Sequence, residues 1–393
     1  LPKGYQITQD ARPICVGGQI PIQVGDETKH IRIHHVHMEE DAGKSIHDSD
    51  DPHSYIDLNR AGTPLLEIVT EPDLRSAEEV DALMTAMRQL VRYLGISDGN
   101  MQEGSMRCDC NVSIRPVGAD YFWNRCEIKN LNSMRYARKA IAYEVQRQTR
   151  IVESGGTVAQ QTLNFDPTTG VTSPLRSKED AHDYRYVPDP DLPPVQLTQQ
   201  QVDELADSQP ALPWVLEQTL IDEYQLSTYN AGLLTAEPAP AHFFLALIAH
   251  TDNTKGAANL IINKILPWCK DQALAPSDFP LGHVTLAQFL ALIQQGKVSN
   301  STAYQELFPA LLASPKADPA QLAADNDWLQ STDSNALAQW VKNSIEAFPD
   351  KAAAYRGGKK GLIGFFMGEV MKQSRGQADP KQANALLRQE LER

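Results

Sequence analysis

What this sequence lacks narrows its identity first. No apolar run reaches the roughly 18 to 20 residues that a membrane-spanning helix needs, so no transmembrane helix is expected. Cysteine is sparse: Cys15, Cys108, Cys110, Cys126 and Cys269 are the only five in 393 residues. An odd number, with no secretory-type leader and no second pair at finger-like spacing, predicts reduced thiols in a cytoplasmic protein rather than a disulfide framework or a zinc finger. There is no GxxxxGK[ST], no GxGxxG after a strand, no GxSxG and no HExxH. Any nucleotide site must therefore be built without the common phosphate loops. Positive charge is short as well, and a net charge of −14 argues against a chain that coats nucleic acid along its length.

The positive charge that is present is gathered at one end. Residues 351–393 hold nine Lys/Arg against four Asp/Glu, a net of +5 on an acidic chain. Either a local nucleic-acid contact or an ordinary solvated helical surface accounts for that tail.

At 393 residues the chain exceeds what one core usually organises, so two or three domains are expected. Short alternating runs and turn residues fill the first 190 or so positions, and helical periodicity dominates from about 199. The prolines of YVPDPDLPPVQL (186–197) mark the change. The expected class is α+β: a mixed, mostly antiparallel sheet domain over 1–195, a helical domain over 196–280 and a helical tail domain over 281–393. Within the first, SAEEVDALMTAMRQLVRYLG (76–95) reads as a helix with a Ser76–Glu79 capping box, an apolar stripe through Leu83 and Met87, and a stop at Gly95. A second helix is expected over about 134–152, ending at Gly155-Gly156. In the tail, Gly361, Gly364 and Gly368 suggest close backbone approach or tight helix packing.

Two stretches carry chemistry. HVHMEEDAGK (35–44) sets Glu39, Glu40 and Asp41 side by side, which requires a positive partner. MRCDCNVSIRP (106–116) alternates strictly, with Arg107, Asp109, Asn111 and Ser113 on one face and Cys108, Cys110 and Val112 on the other. If it pairs with FWNRCEIKN (122–130) as a hairpin centred near Ala119, Asn111 lies opposite Glu127 and Asp109 opposite Lys129. A solvated sheet face with a salt-bridge lattice is one reading. The other is a floor of Glu40, Asp109 and Glu127 holding Mg²⁺ against a nucleotide triphosphate, with Lys129 and Arg107 on phosphate oxygens, because hard carboxylate ligands suit Mg²⁺. Cys108 and Cys110 read as buried free thiols. Alternation sends His35 and His37 to one side and His34 to the other.

A longer set of motifs then carries a resemblance. YIDLNRAGTPLLEIVTEPDL (55–74), HMEEDAGK, MRCDCNVSIRP, EIKNLNS (127–133), DYRYVPDPDLPP (183–194) and MGEVMKQSRGQADP (367–380) stand in the order found in the B-subunit family of the aspartyl/glutamyl-tRNA amidotransferases, which this sequence resembles over nearly its whole length. The related archaeal E subunit has an inserted domain for which 190–393 has no room. The resemblance implies a cradle-shaped catalytic domain that uses ATP and Mg²⁺ to phosphorylate the side chain of Glu or Asp mischarged on tRNA(Gln) or tRNA(Asn). Ammonia from an amidase, the A subunit, then displaces the phosphate, and a small C subunit holds the other two together. It implies Glu40, Asp109 and Glu127 as catalytic and metal residues, and Glu39, Lys44, Arg107, Asn111, Lys129 and Arg185 as ATP or substrate ligands. Glu67 faces the site or forms a structural ion pair, and Arg185 either binds the acidic end of the substrate or clamps the domain boundary. For tRNA, it points to Lys359, Lys360, Lys372 and Arg375. Family members carry a further strand-rich segment ahead of LPKGYQ, so an N-terminally truncated sequence is expected; a non-catalytic tRNA-binding scaffold is the rival reading.

Overall fold

The computed structural model describes residues 8–47, 53–129, 131–175, 193–330, 334–374 and 376–392. Two compact units emerge, Leu1–Leu212 and Pro213–Arg393, and the class is mixed α+β: the sheets lie in the first unit and the second is helical. Among the described residues no single helix is long and apolar enough to cross a membrane.

The first unit is organised by one long strand. β1 (Cys15–Val16), β2 (Gln19–Val24), β3 (Glu27–Glu40) and β6 (Pro64–Thr70) form an antiparallel sheet in which β3 pairs with the other three. β4 (Lys44–His47) and β5 (Ser54–Asp57) form a separate hairpin. A second four-stranded sheet has the order β10 (Val171–Pro174), β9 (Gln161–Asp166), β8 (Cys126–Lys129), β7 (Cys110–Val112), with β8 and β9 parallel and the other pairs antiparallel.

The helices follow their local signals. α1 (Ala77–Tyr93) starts where Ser76 Oγ accepts the Glu79 N–H, and it ends in a Schellman turn. Ile96 N–H bonds Val91 O and Gly95 N–H bonds Arg92 O, with Gly95 at φ +67°. The capping box is only half formed: the Glu79 carboxylate accepts the Arg75 N–H at 2.6 Å and pairs with Lys29 Nζ at 2.7 Å, so it serves the loop and β2–β3 rather than Ser76. α2 (Met134–Glu153) closes with the same arrangement at Gly155-Gly156. α3 (Gln199–Ser208) is capped by a full box from Thr198 and Gln201.

The hairpin predicted around Ala119 is present in the predicted register, with Asn111 opposite Glu127. Its ladder is shorter than the alternation suggested. Pro116 has no N–H to donate, and Ser113 Oγ takes the Trp123 carbonyl at 2.9 Å, so regular pairing stops at Val112. The apolar side of β7 and β8 meets α1, α2 and β9 in a core of Met84, Cys110, Val112, Ile128, Leu131, Ala137, Ala140 and Phe165. Glu144, fully buried on α2, ties this layer together: Arg147 neutralises it at 2.6 Å, Thr172 Oγ1 donates to it at 3.0 Å, and Gln148 reaches the Val112 carbonyl.

In the second unit the boundary expected at 280/281 falls inside a packed region. Phe279 stands edge-on to Trp268 and Phe243 and stacks with Phe308, so rings from both sides of that position share one cluster. A separate core of Leu337, Val341, Tyr355, Phe366, Val370, Leu387 and their neighbours begins only after residue 334. The glycines of the tail do not pack tightly: a Cβ at Gly361, Gly364 or Gly368 would meet nothing within 4 Å.

The buried side of β8 gives a direct test of this architecture. Ile128→Ala removes a side chain with no exposed surface, and urea denaturation should show a loss of about 2–5 kcal/mol with an unchanged slope.

Candidate functional site

The site grows out of the polar end of β3. Period-two alternation puts His37 and Glu39 on one face, and antiparallel pairing with β6 sets Glu67 opposite His37. His37, 2% exposed, holds Nε2 at 3.2 Å from Glu39 Oε1 and 3.8 Å from Glu67 Oε2. One donor atom from each of the three lies within 4.8 Å of the others, a cluster able to hold a cation. Asp10, His35 and His37 make a second such group. Burial, and then the neighbouring Glu39, push Glu67 above the usual carboxylate range, with His37 opposing.

The histidines depart from simple alternation. A register irregularity between Ile33 and His35 turns His34 towards its neighbour, so His34 Nδ1 lies 2.6 Å from His35 Nδ1. His35 Nε2 in turn lies 3.1 Å from His37 Nδ1, with the two rings stacked. All three imidazoles form one chain, where two had been expected together and the third apart.

The carboxylates of 39–41 have separate surroundings. Glu39 has His37. Asp41 accepts from Arg60 Nε at 2.7 Å and Arg107 Nη2 at 3.0 Å. Burial raises the Asp41 pKa, but those guanidinium groups outweigh it and leave the carboxyl below its ordinary range. Arg60 is delivered by a turn laced to the same strand: Asp41 N–H bonds Thr63 O, and Gly62, at φ +79°, donates to Asp41 O. Glu40 lies opposite Pro64, and alternation turns it from the face of His37 and Glu39. The positive partners of this acidic triplet therefore include Arg60 and Arg107, where Mg²⁺ helped by Lys44 and Lys129 had been expected.

The second sheet supplies the other carboxylates. Lys129 Nζ is bound by Asp109 at 2.8 Å and Glu127 at 2.9 Å, and Glu127 also accepts from Thr162 Oγ1 at 2.9 Å. Burial pulls Lys129 down, yet its two carboxylate bonds push its pKa well above the ordinary lysine value. Burial raises Glu127, and Lys129 with Thr162 more than compensates. Asp109 also contributes to raising Glu67, which places the two groups within electrostatic reach.

Of the predicted residues, Asp109, Glu127 and Lys129 come together as expected, with Asn111 exposed beside them in the ladder. Arg107 engages Asp41. Lys44 opens β4, exposed and paired with Asp57 in the backbone register. Lys359, Lys360 and Lys372 are exposed in the second unit, Lys360 lying 3.2 Å from Glu392 and over the Tyr355 ring at 4.4 Å. Arg185 and Arg375 lie outside the described residues. Sequence reasoning missed Arg60, Asp10 and Thr162, and set His37 beside His35 on one side of the strand with both a site role and polar packing open. The period-two run His35, His37, Glu39 was the available signal for the last of these.

Comparison with known proteins decides the family. The model of the GatB/GatE catalytic domain matches residues 1–203, and a GatB domain model matches 242–391. The chain belongs to the GatB/GatE family. It is 43% identical to the B subunit of the aspartyl/glutamyl-tRNA(Asn/Gln) amidotransferase of Salinibacter ruber, covering all of this chain and 81% of that protein. It is 45% identical to the B subunits of the same enzyme in Solidesulfovibrio magneticus and Alkalilimnicola ehrlichii, with all of this chain and 82% of each relative covered. The histidine and carboxylate face described above lies wholly within the GatB/GatE catalytic match.

The raised pKa of Glu67 makes its effect on stability run opposite to that of a paired carboxylate. Its proton is held more tightly in the folded chain than in the unfolded one, so folding is favoured at acid pH and loses this contribution as pH rises through the folded-state value. Glu67→Gln should therefore be more stable than the parent at neutral pH in thermal melts. The difference should vanish below the ordinary glutamate range of about 4.3.

Proposed function

We propose that this chain is the B subunit of a tRNA-dependent amidotransferase and carries its kinase site. In this reading it uses ATP and Mg²⁺ to phosphorylate the side-chain carboxylate of Glu or Asp mischarged on tRNA(Gln) or tRNA(Asn). The observations that support it are the convergence of Asp109 and Glu127 on Lys129 in one sheet and the cluster of His37, Glu39 and Glu67 in the other, in a chain matched by B-type relatives over its full length.

The donor set fits a hard cation. Three or four carboxylates with one imidazole and no thiol on that face favour Mg²⁺ over zinc. Asp109 and Glu127 would hold it, with Glu39 and Glu67 the third and fourth candidates and Glu40 one residue further along β3. When bound, such an ion offsets the negative charge gathered by triphosphate and substrate. Lys129 has a defined task in this reading: it neutralises two carboxylates now, and released by a cation it becomes a phosphate ligand. Arg107, Asn111, Lys44 and Arg185 are the remaining proposed ATP or substrate ligands.

A carboxylate is a poor electrophile. Transfer of the γ-phosphoryl group to its oxygen creates a leaving group, and attack by ammonia then forms the C–N bond as phosphate departs. Ammonia is proposed to come from the amidase, or A, subunit of the enzyme, with a small C subunit in the same complex. The substrate tRNA would be held by its shape and backbone through Lys359, Lys360, Lys372 and Arg375 in the tail.

Two measurements test this. In the chain assembled with its A and C partners, mischarged tRNA should stimulate ATP hydrolysis, and Asp109→Asn should abolish the stimulation. Comparing Glu39→Gln with Glu40→Gln assigns the third carboxylate; full activity in all three variants would leave a tRNA-binding scaffold as the function. Neutralising Lys359, Lys360, Lys372 and Arg375 together should weaken tRNA binding and lower the salt slope by up to about 3 to 4, and an unchanged slope would remove the tail from the interface.

A further inference from the structure

The connection from β7 to β8 carries two aromatic rings that stay open to solvent. Pro116 O accepts the Ala119 N–H at 3.1 Å, with Gly118 at φ +84°, and this turn leaves Val117 fully exposed. Beyond it, Tyr121 and Phe122 are each more than half exposed. The Arg115 guanidinium lies 4.9 Å from the centroid of the Phe122 ring.

The exposed stretch is held in place. Ser113 Oγ donates to the Trp123 carbonyl and Asn124 Nδ2 to the Val158 carbonyl, each at 2.9 Å, so its two ends are fastened to one another and to the approach to β9. One side of the Phe122 ring meets a cation and its remaining surface is free, which makes a preformed flat platform. Residues 115–125 hold Arg115 and Arg125 against Asp120, so the platform is locally positive in a chain of net charge −14. A ring backed by a guanidinium is a surface on which an unpaired base stacks, and neighbouring arginines suit the phosphates between bases. A protein partner laying apolar surface here would bury the same charges at a cost.

We propose that Arg115, Tyr121, Phe122 and Arg125 bind the unpaired 3′ end of the substrate tRNA, bases stacking on the rings and phosphates meeting the arginines. The inference rests on the reading of a tRNA-borne substrate. The amino acid to be modified is esterified to the 3′-terminal adenosine, so that end lies at the site while the preceding nucleotides lead away from it. Arg115 stands six positions after Asp109, at most about 20 Å of chain, which a few unstacked nucleotides span. The contact positions the acyl end against Asp109, Glu127 and Lys129 without touching the reacting atoms.

The test compares binding of intact tRNA(Gln) with tRNA(Gln) trimmed of its unpaired 3′ nucleotides, using the chain assembled with its A and C partners. Trimming should weaken binding to the parent about tenfold or more, since each stacked base contributes about 1–3 kcal/mol. Phe122→Ala should abolish that difference by weakening intact tRNA alone, with the trimmed form bound as by the parent. Phe122→Leu, which keeps apolar bulk without a π-face, should behave like the alanine variant. No difference in the parent, an undiminished difference in Phe122→Ala, equal weakening of both tRNAs, or rescue by leucine overturns the proposal. Loss of the A or C subunit from the Phe122→Ala complex overturns it too, and makes the platform a protein contact. If mischarged tRNA fails to stimulate ATP hydrolysis while the trimming effect and its loss persist, the kinase reading falls and the 3′-end contact stands.

Discussion

The first unit depends on the backbone pairing of β3. Fourteen residues, Glu27 to Glu40, hydrogen-bond to β2 at one end and to β1 and β6 at the other, so one strand is both the spine of a sheet and the carrier of a reactive face. Near its start the alternation is apolar, with Ile31 and Ile33 buried; towards its end the same period brings His37 and Glu39 inward. A buried imidazole between two carboxylates is costly unless its nitrogens are bonded, and here His35 and Glu39 meet that need. The ladder makes this arrangement obligatory, since a slip of one residue would put Met38 in place of His37.

Charge is balanced locally in this face. Asp41 is matched by two arginines from distant parts of the chain, Asp109 and Glu127 share one lysine, and Glu39 leans on a histidine. Glu67 is the exception, its carboxyl raised by burial and by Glu39. An arriving cation would offset both the burial and the Glu39 repulsion that raise it.

Much of the architecture was readable from local signals. Ser76, Ser133, Gly95 and Gly155-Gly156 bounded the first two helices, since caps and positive-φ stops act within a few residues. Alternation and a turn midpoint fixed the β7–β8 register, and with it the meeting of Asp109, Glu127 and Lys129. The failures were of two kinds. Pro116 and the Ser113 hydroxyl ended the ladder early, and an irregularity beside His34 broke an alternation that had been assumed regular. Rings on either side of position 280 pack with one another, a contact that periodicity does not encode.

By itself, then, the sequence determined the helix limits, the mixed class, the family and one half of the candidate site, all of which rest on residues near one another in the chain or on motifs long enough to be distinctive. Only the tertiary structure decided which cations the acidic triplet meets. Arg60 and Arg107 reach Asp41 across 19 and 66 residues, and β6 brings Glu67 to His37 across a strand pairing. Such meetings are set by chain reversal and register, where sequence distance carries no information about distance in space.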